Sequence, residues 1–229
     1  MWIMKRLSLI IISLVLLSSC DDFLGTLPDN RTEVNTVDKV AKRLSSAYPD
    51  RTYVRWLELS SDNIDDMGED NPNGGDLLHQ QAYWQHSTIG DNESNVNLWQ
   101  GYYKAIATAN TVLEAIENMG ETKELLPYKG EALMCRAYAH FCLTMIYCLP
   151  YHPDYADQYQ GIVYMEKPET TLNPKYSRST LAYCYEMMEK DIEEALPLLN
   201  DEAYSVPKYH FNRLAGYAFA PRFYINCMK

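Results

Sequence analysis

The sequence predicts an all-α protein of tetratricopeptide-like helical hairpins with long irregular loops. Three observations predict it. Apolar residues recur at helical spacing over windows near 36–48, 95–119, 127–147 and 180–199. Within these windows bulky and small residues alternate, and Ala137-x-x-x-Phe141 has the spacing of a helical hairpin repeat. The connections at 60–94 and 149–177 are rich in turn-forming residues. No period of about 34 residues can be laid over the chain, because the second connection is too long.

The elements follow in order. Thr36 can cap a helix running to about Tyr48, with Val37, Val40, Ala41, Leu44 and Tyr48 on one face and Pro49 ending it. A short apolar segment covers Tyr53 to Leu59. Residues 60–94 read as an acidic loop containing Asp62, Asp65, Asp66, Glu69, Asp70, Gly74 and Gly75. The next helix spans Asn95 to Met119, with Gly120 at its C′ position. Its stripe is Trp99, Tyr102, Tyr103, Ile106, Leu113 and Ile116, and Asn110 falls within it. Such an amide is expected to hydrogen-bond a neighbouring helix or loop.

The helix from Pro127 or Lys129 to Tyr147 is apolar on nearly every face, so it belongs at the centre. Glu131 and Arg136 lie on it, and buried charges persist when paired. The segment Thr180 to Leu199 buries Leu181, Tyr185, Met188, Ile192, Ala195, Leu196 and Leu199, with Glu186 and Lys190 paired outside. A last helix starts near Asn212. Pro221 sits inside it, where a proline costs about 3 kcal/mol and removes a hydrogen bond. The expectation is a broken ladder and a frayed end.

The first segment has a different character. Lys5 and Arg6 precede an apolar run from Leu7 to Leu17, too short to span a hydrocarbon core comfortably. It ends in Leu17-Ser18-Ser19-Cys20, which resembles a lipobox. Residues 1–19 are therefore expected to be a signal peptide, and Cys20 the acylated first residue of the mature chain. Residues 20–35 form the lipidated tether, and 36–229 the helical domain.

Composition narrows the partners. The chain of 229 residues carries a net charge of −11, and losing the positive charges Lys5 and Arg6 with the signal makes it −13. A nucleic-acid partner needs a basic surface, so that class is excluded. After Cys20 come Cys135, Cys142, Cys148, Cys184 and Cys227, an odd set read as small core residues rather than a disulfide framework. No catalytic motif, phosphate-cradling loop, zinc spacing or cofactor motif is visible, so an enzyme is not expected. An EF-hand counted from Asp66 would put Asn71 at the required glycine, and fails.

Several segments, in this order, resemble the SusD/RagB family of outer-membrane nutrient-binding lipoproteins of the Bacteroidetes. They are Cys20-Asp21-Asp22-Phe23-Leu24, Glu58-Leu59-Ser60-Ser61-Asp62 and Trp99-x-x-x-Tyr103-x-x-Ile106-x-x-x-Asn110. Gly130-Glu131-Ala132-x-x-x-Arg136-Ala137-Tyr138 and Gly161-Ile162-Val163-Tyr164 follow. Arg178-x-Thr180, Tyr185 with Asp191 and Ala195, and Asn212-x-x-Ala215 complete the set. Family members are considerably longer, so the chain resembles their N-terminal part and is expected to be truncated at its C-terminus.

The resemblance implies a lipid-anchored, surface-exposed protein of the outer membrane. It would bind a nutrient, an oligosaccharide, for a SusC-like TonB-dependent transporter. Family members stack sugars on aromatic rings. In this chain Tyr83 and Trp84, beside Asp70, Asn73 and His86, offer rings and short polar groups on a loop. The alternative is that Trp84 anchors the loop to the helices. Two other readings stay open: a helical scaffold that binds only protein, and a nonfunctional fragment of a longer binder.

Overall fold

The computed structural model describes residues 33–65, 67–70, 75–87 and 94–228. The signal segment 1–19, Cys20 and Asn73 lie outside the described residues. Seven α-helices and several 3-10 turns make up the fold, with one isolated antiparallel bridge, Gln160 to Thr180, among the described residues.

Helix α1, Val37–Leu44, starts where Thr36 Oγ1 accepts the Lys39 N–H at 3.3 Å. It stops four residues before the expected Tyr48. Ser45 is the reason: its hydroxyl donates to the Lys42 carbonyl at 2.7 Å and its N–H turns back to Arg43. Serine competes with the helix ladder in this way. The early stop releases Tyr48 to reach the central helix, where its hydroxyl donates to Glu131. Helix α2 is Val54–Leu59.

The expected loop 60–94 contains a further helix, α3, Asp76–Ala82, which buries Leu77 and Gln81. Its apolar signal is only Leu77 and Leu78, and the flanking turn residues hid it. Helix α4, Asn95–Asn118, is capped by Ser94. It ends in a Schellman motif: Glu121 N–H donates to Ile116 and Gly120 N–H to Glu117. Gly120 has φ +86°, as this position favours.

Helix α5, Leu126–Tyr147, is central, with α4 and α6 (Leu181–Ala195) packed along it. Thr180 caps α6, which passes into a 3-10 turn at Leu196–Leu198 where Pro197 cannot continue the ladder. One core joins Tyr102 and Ile106 of α4, Phe141 and Leu143 of α5, and Leu181 and Ile192 of α6. Cys135, Cys142, Cys184 and Cys227 are buried in it and form no disulfide; Cys148 is half-buried.

Helix α7, Arg213–Asn226, adds Phe219 and Phe223, whose rings meet Phe141 at 5.5 and 6.1 Å. The expected break at Pro221 does not occur; the helix runs through it. Pro221 and Tyr217 both face solvent, so water can take the carbonyl the proline leaves unpaired. Phe219, Ala220 and Phe223 hold the buried face.

Candidate functional site

The aromatic pair singled out in the sequence, Tyr83 and Trp84, follows directly on the end of helix α3. Gln81 ties the helix to the end of α2, its side-chain amide donating to Ser60 Oγ at 3.5 Å. The chain then leaves α3 by a second Schellman motif. Gln85 N–H donates to Gln80 at 2.7 Å and Trp84 N–H to Gln81 at 3.2 Å. The residue at C′ is therefore Trp84, with φ +54°. A left-handed backbone costs an L-residue about 1–2 kcal/mol, which is why glycine usually fills this position.

The indole does not recover that cost by packing, because Trp84 is 79% exposed. It is not an anchor holding the loop to the helices. Tyr83 is 52% exposed, and its ring lies 4.6 Å from that of His79. His79, Gln85 and His86 are exposed around the pair. Asp70 sits at the end of a separate 3-10 turn, Gly68–Asp70, exposed and with no hydrogen bond to Trp84 among the described residues. The described surface thus holds two aromatic faces with imidazole and amide groups beside them. Such a surface can stack a flat apolar ligand face and hydrogen-bond its edge.

A second surface rests on a buried polar clamp. Arg136 of α5 donates two bonds to Asp191 of α6, at 2.7 and 2.6 Å. Its third nitrogen reaches Asn110 Oδ1 and the Glu166 carbonyl, each at 3.0 Å. Tyr164 Oη donates to Asp191 at 2.5 Å, and Asn110 donates to the Met165 and Lys167 carbonyls. His140 accepts the Met165 N–H at Nε2, 3.1 Å away, and its Nδ1 lies 2.9 Å from the Arg136 carbonyl, which fixes the tautomer. Burial, with the Arg136 cation beside it, lowers this imidazole to about 3. The expected partners of Asn110 and Arg136 are these. Glu131 is held by Tyr48 and by His210 at 2.8 Å.

The clamp pins the extended segment 161–167 across α4, α5 and α6. Gly161 allows the close approach, since a Cβ there would meet Cys184 Sγ at 2.6 Å and Thr180 O at 2.7 Å. Tyr103 Oη donates to the Val163 carbonyl at 2.8 Å. Between α4 and this segment lies a groove of about 260 Å³, lined among others by Trp99, Tyr103, Met165, Lys167, Glu169 and Tyr176. Sequence reasoning recognised Trp99 and Tyr103 only as helix stripe. Nothing in the pattern marked Lys167, Glu169 and Tyr176, because their approach depends on the course of the 149–177 connection.

Among the described residues no group of carboxylates, imidazoles and thiols could hold a metal ion. Nor is any described helix long and apolar enough to cross a membrane.

Comparison with known proteins adds the following. Residues 22–225 match a SusD-like family described as starch-binding and associating with the outer membrane. No curated protein matches the sequence. Among solved structures, a SusD superfamily protein of Bacteroides thetaiotaomicron is similar at 26% identity and TM-score 0.67, covering 84% of this chain and 43% of that one. A SusD superfamily protein of Bacteroides vulgatus has 24% identity and TM-score 0.64, over 86% and 44%. Surface glycan-binding protein A of Bacteroides fluxus has 21% identity and TM-score 0.58, over 83% and 40%. The chain spans less than half the length of these structures.

Proposed function

The chain belongs to the SusD-like family, and from that premise we propose that it is a glycan-binding lipoprotein of the outer membrane that uses Tyr83 and Trp84 as its sugar platform. It holds an oligosaccharide for a SusC-like TonB-dependent transporter and makes or breaks no bond. Residues 1–19 are its signal peptide, and Cys20 carries the lipid.

One observation carries the site. An exposed tryptophan occupies a left-handed position that favours glycine. Strain without a packing gain marks a residue kept for what it contacts outside the protein. Sugars present flat C–H faces, and a large exposed indole with only two side-chain torsions meets such a face at modest entropic cost. The neighbouring Gln85, His79 and His86 supply hydrogen bonds to hydroxyls. Asp70, on its own exposed 3-10 turn, and Asn73, which lies outside the described residues, are carried as further candidate contacts from the sequence alone.

A glycan microarray probed with the full chain and with Trp84→Ala tests this reading. Oligosaccharide spots retained by the chain and lost by the variant are the expected result. A chain that retains no glycan, or a variant that retains them all, overturns it and favours a protein-binding scaffold. For the anchor, Cys20→Ala should abolish labelled-palmitate incorporation in cells; unchanged labelling would refute it.

A further inference from the structure

The groove between α4 and the 161–176 segment has an amphipathic order of its own. Its floor is aromatic and aliphatic: Trp99, Tyr103 and Met165. Trp99 is a fixed platform, because its ring lies 4.8 Å from Tyr103 and meets Tyr147 edge-on at 5.0 Å. A ligand stacking there loses little protein entropy. The polar groups beneath the groove are already committed. Asn110 spends its amide on two carbonyls and its oxygen on Arg136, so it offers nothing to a ligand.

Available polarity is therefore confined to the rim. Tyr176 is 49% exposed and its hydroxyl donates to Glu169 over a long 3.3 Å. The Lys167 side chain has no hydrogen-bond or ion-pair partner among the described residues. One cation and one carboxylate leave the rim neutral, so it favours neither an anion nor a cation. At about 260 Å³ the groove falls below the ~300–1,000 Å³ of a drug-sized site. An apolar ring face below, one hydroxyl, one carboxylate and one ammonium at the edge, no net charge and a small volume suit a single neutral polyhydroxylated ring.

We infer that this groove is a second sugar subsite, which takes one neutral pyranose ring stacked on Trp99 with its hydroxyls on Glu169, Lys167 and Tyr176. The inference rests on the reading of the chain as a glycan binder. It is independent of Trp84, because the groove's residues come from α4 and the 161–176 segment.

The test uses saturation-transfer difference NMR on the full chain with methyl glycosides of glucose, galactose, mannose and N-acetylglucosamine. The background is Trp84→Ala, which removes the indole of the first platform. Saturable transfer to at least one methyl glycoside should persist in that background. Adding Tyr176→Ala or Glu169→Ala, both at exposed side chains, should weaken it about 3–10-fold, the loss of one stacking or hydrogen-bonding partner. Transfer that vanishes with Trp84→Ala alone overturns the second subsite and leaves the proposed function standing. Transfer unchanged by both rim substitutions also overturns it. A wild-type chain that binds no saccharide overturns both readings together.

Discussion

Replacing Trp84 by glycine and by alanine should separate what the residue does for the fold from what it does for a ligand. Both substitutions remove the indole, and since it is 79% exposed its removal uncovers little. They differ in the backbone. Alanine keeps the cost of φ +54°, about 1–2 kcal/mol, whereas glycine relieves it. Glycine loses about 0.5–1 kcal/mol of that gain to the entropy of the unfolded chain. Trp84→Gly should therefore be more stable than Trp84→Ala by about 0.5–1 kcal/mol, and at least as stable as the parent. For a domain of this size that is roughly 1–4 °C in Tm. Thermal melts supply the global value. Hydrogen exchange at the Trp84 and Gln85 amides supplies the local one, since α3 packs chiefly on α2 and can open on its own. Both variants should lose about tenfold or more in glycan affinity, the value of one stacking contact at ~1.4 kcal/mol per decade. Equal stability of the two variants would refute the strain argument. Retained affinity in either would refute the platform.

The buried clamp and the last helix allow three further predictions. Arg136→Met should cost about 3–5 kcal/mol, because Asp191 is 1% exposed and would be left buried with only Tyr164; the double variant with Asp191→Leu should recover much of the loss in urea denaturation. His140 lies at about 3 in the folded chain and near 6.5 when unfolded, so its contribution is present above pH ~6.5 and lost as pH falls toward 3, at up to ~1.4 kcal/mol per pH unit; His140→Gln should flatten stability against pH between 6 and 4 by about that slope, and an unchanged slope would refute it. Pro221→Ala should raise stability by about 1–3 kcal/mol, since the exposed ring packs on nothing essential and alanine restores a bond to Tyr217; a lowered melting midpoint would mean the ring makes a contact that matters.

Most of the helices were legible because each buries a stripe with its own period. Helix α5 was legible for the opposite reason, as an element with no polar face, and it is the one the others surround. The partners of Arg136 were legible only in kind. A guanidinium on so apolar a helix had to be paired, yet nothing local indicates that the carboxylate stands at Asp191, or that Glu166 contributes its carbonyl. Helix α3 escaped because its one buried turn, Leu77 to Gln81, has only two apolar residues and lies among residues that signal turns. Pro221 shows the reverse error. A local rule predicted a break, and three buried neighbours on the same helix override it.

The two Schellman motifs show where the pattern stops being informative. After α4 the C′ residue is Gly120, and its identity alone marked the end of the helix. After α3 the same hydrogen bonds form around Trp84, so the sequence carries no glycine to mark either the turn or the helix before it. One departure from the local rule thus concealed the helix and placed an exposed indole at a left-handed corner. Sequence and backbone preference agree where a residue serves only the fold, and they part where another demand is made on it. The groove at Trp99 follows a different logic. There the aromatic residues obey the helical pattern completely, and only the course of the 161–176 segment turns a stripe of core rings into a partly open surface.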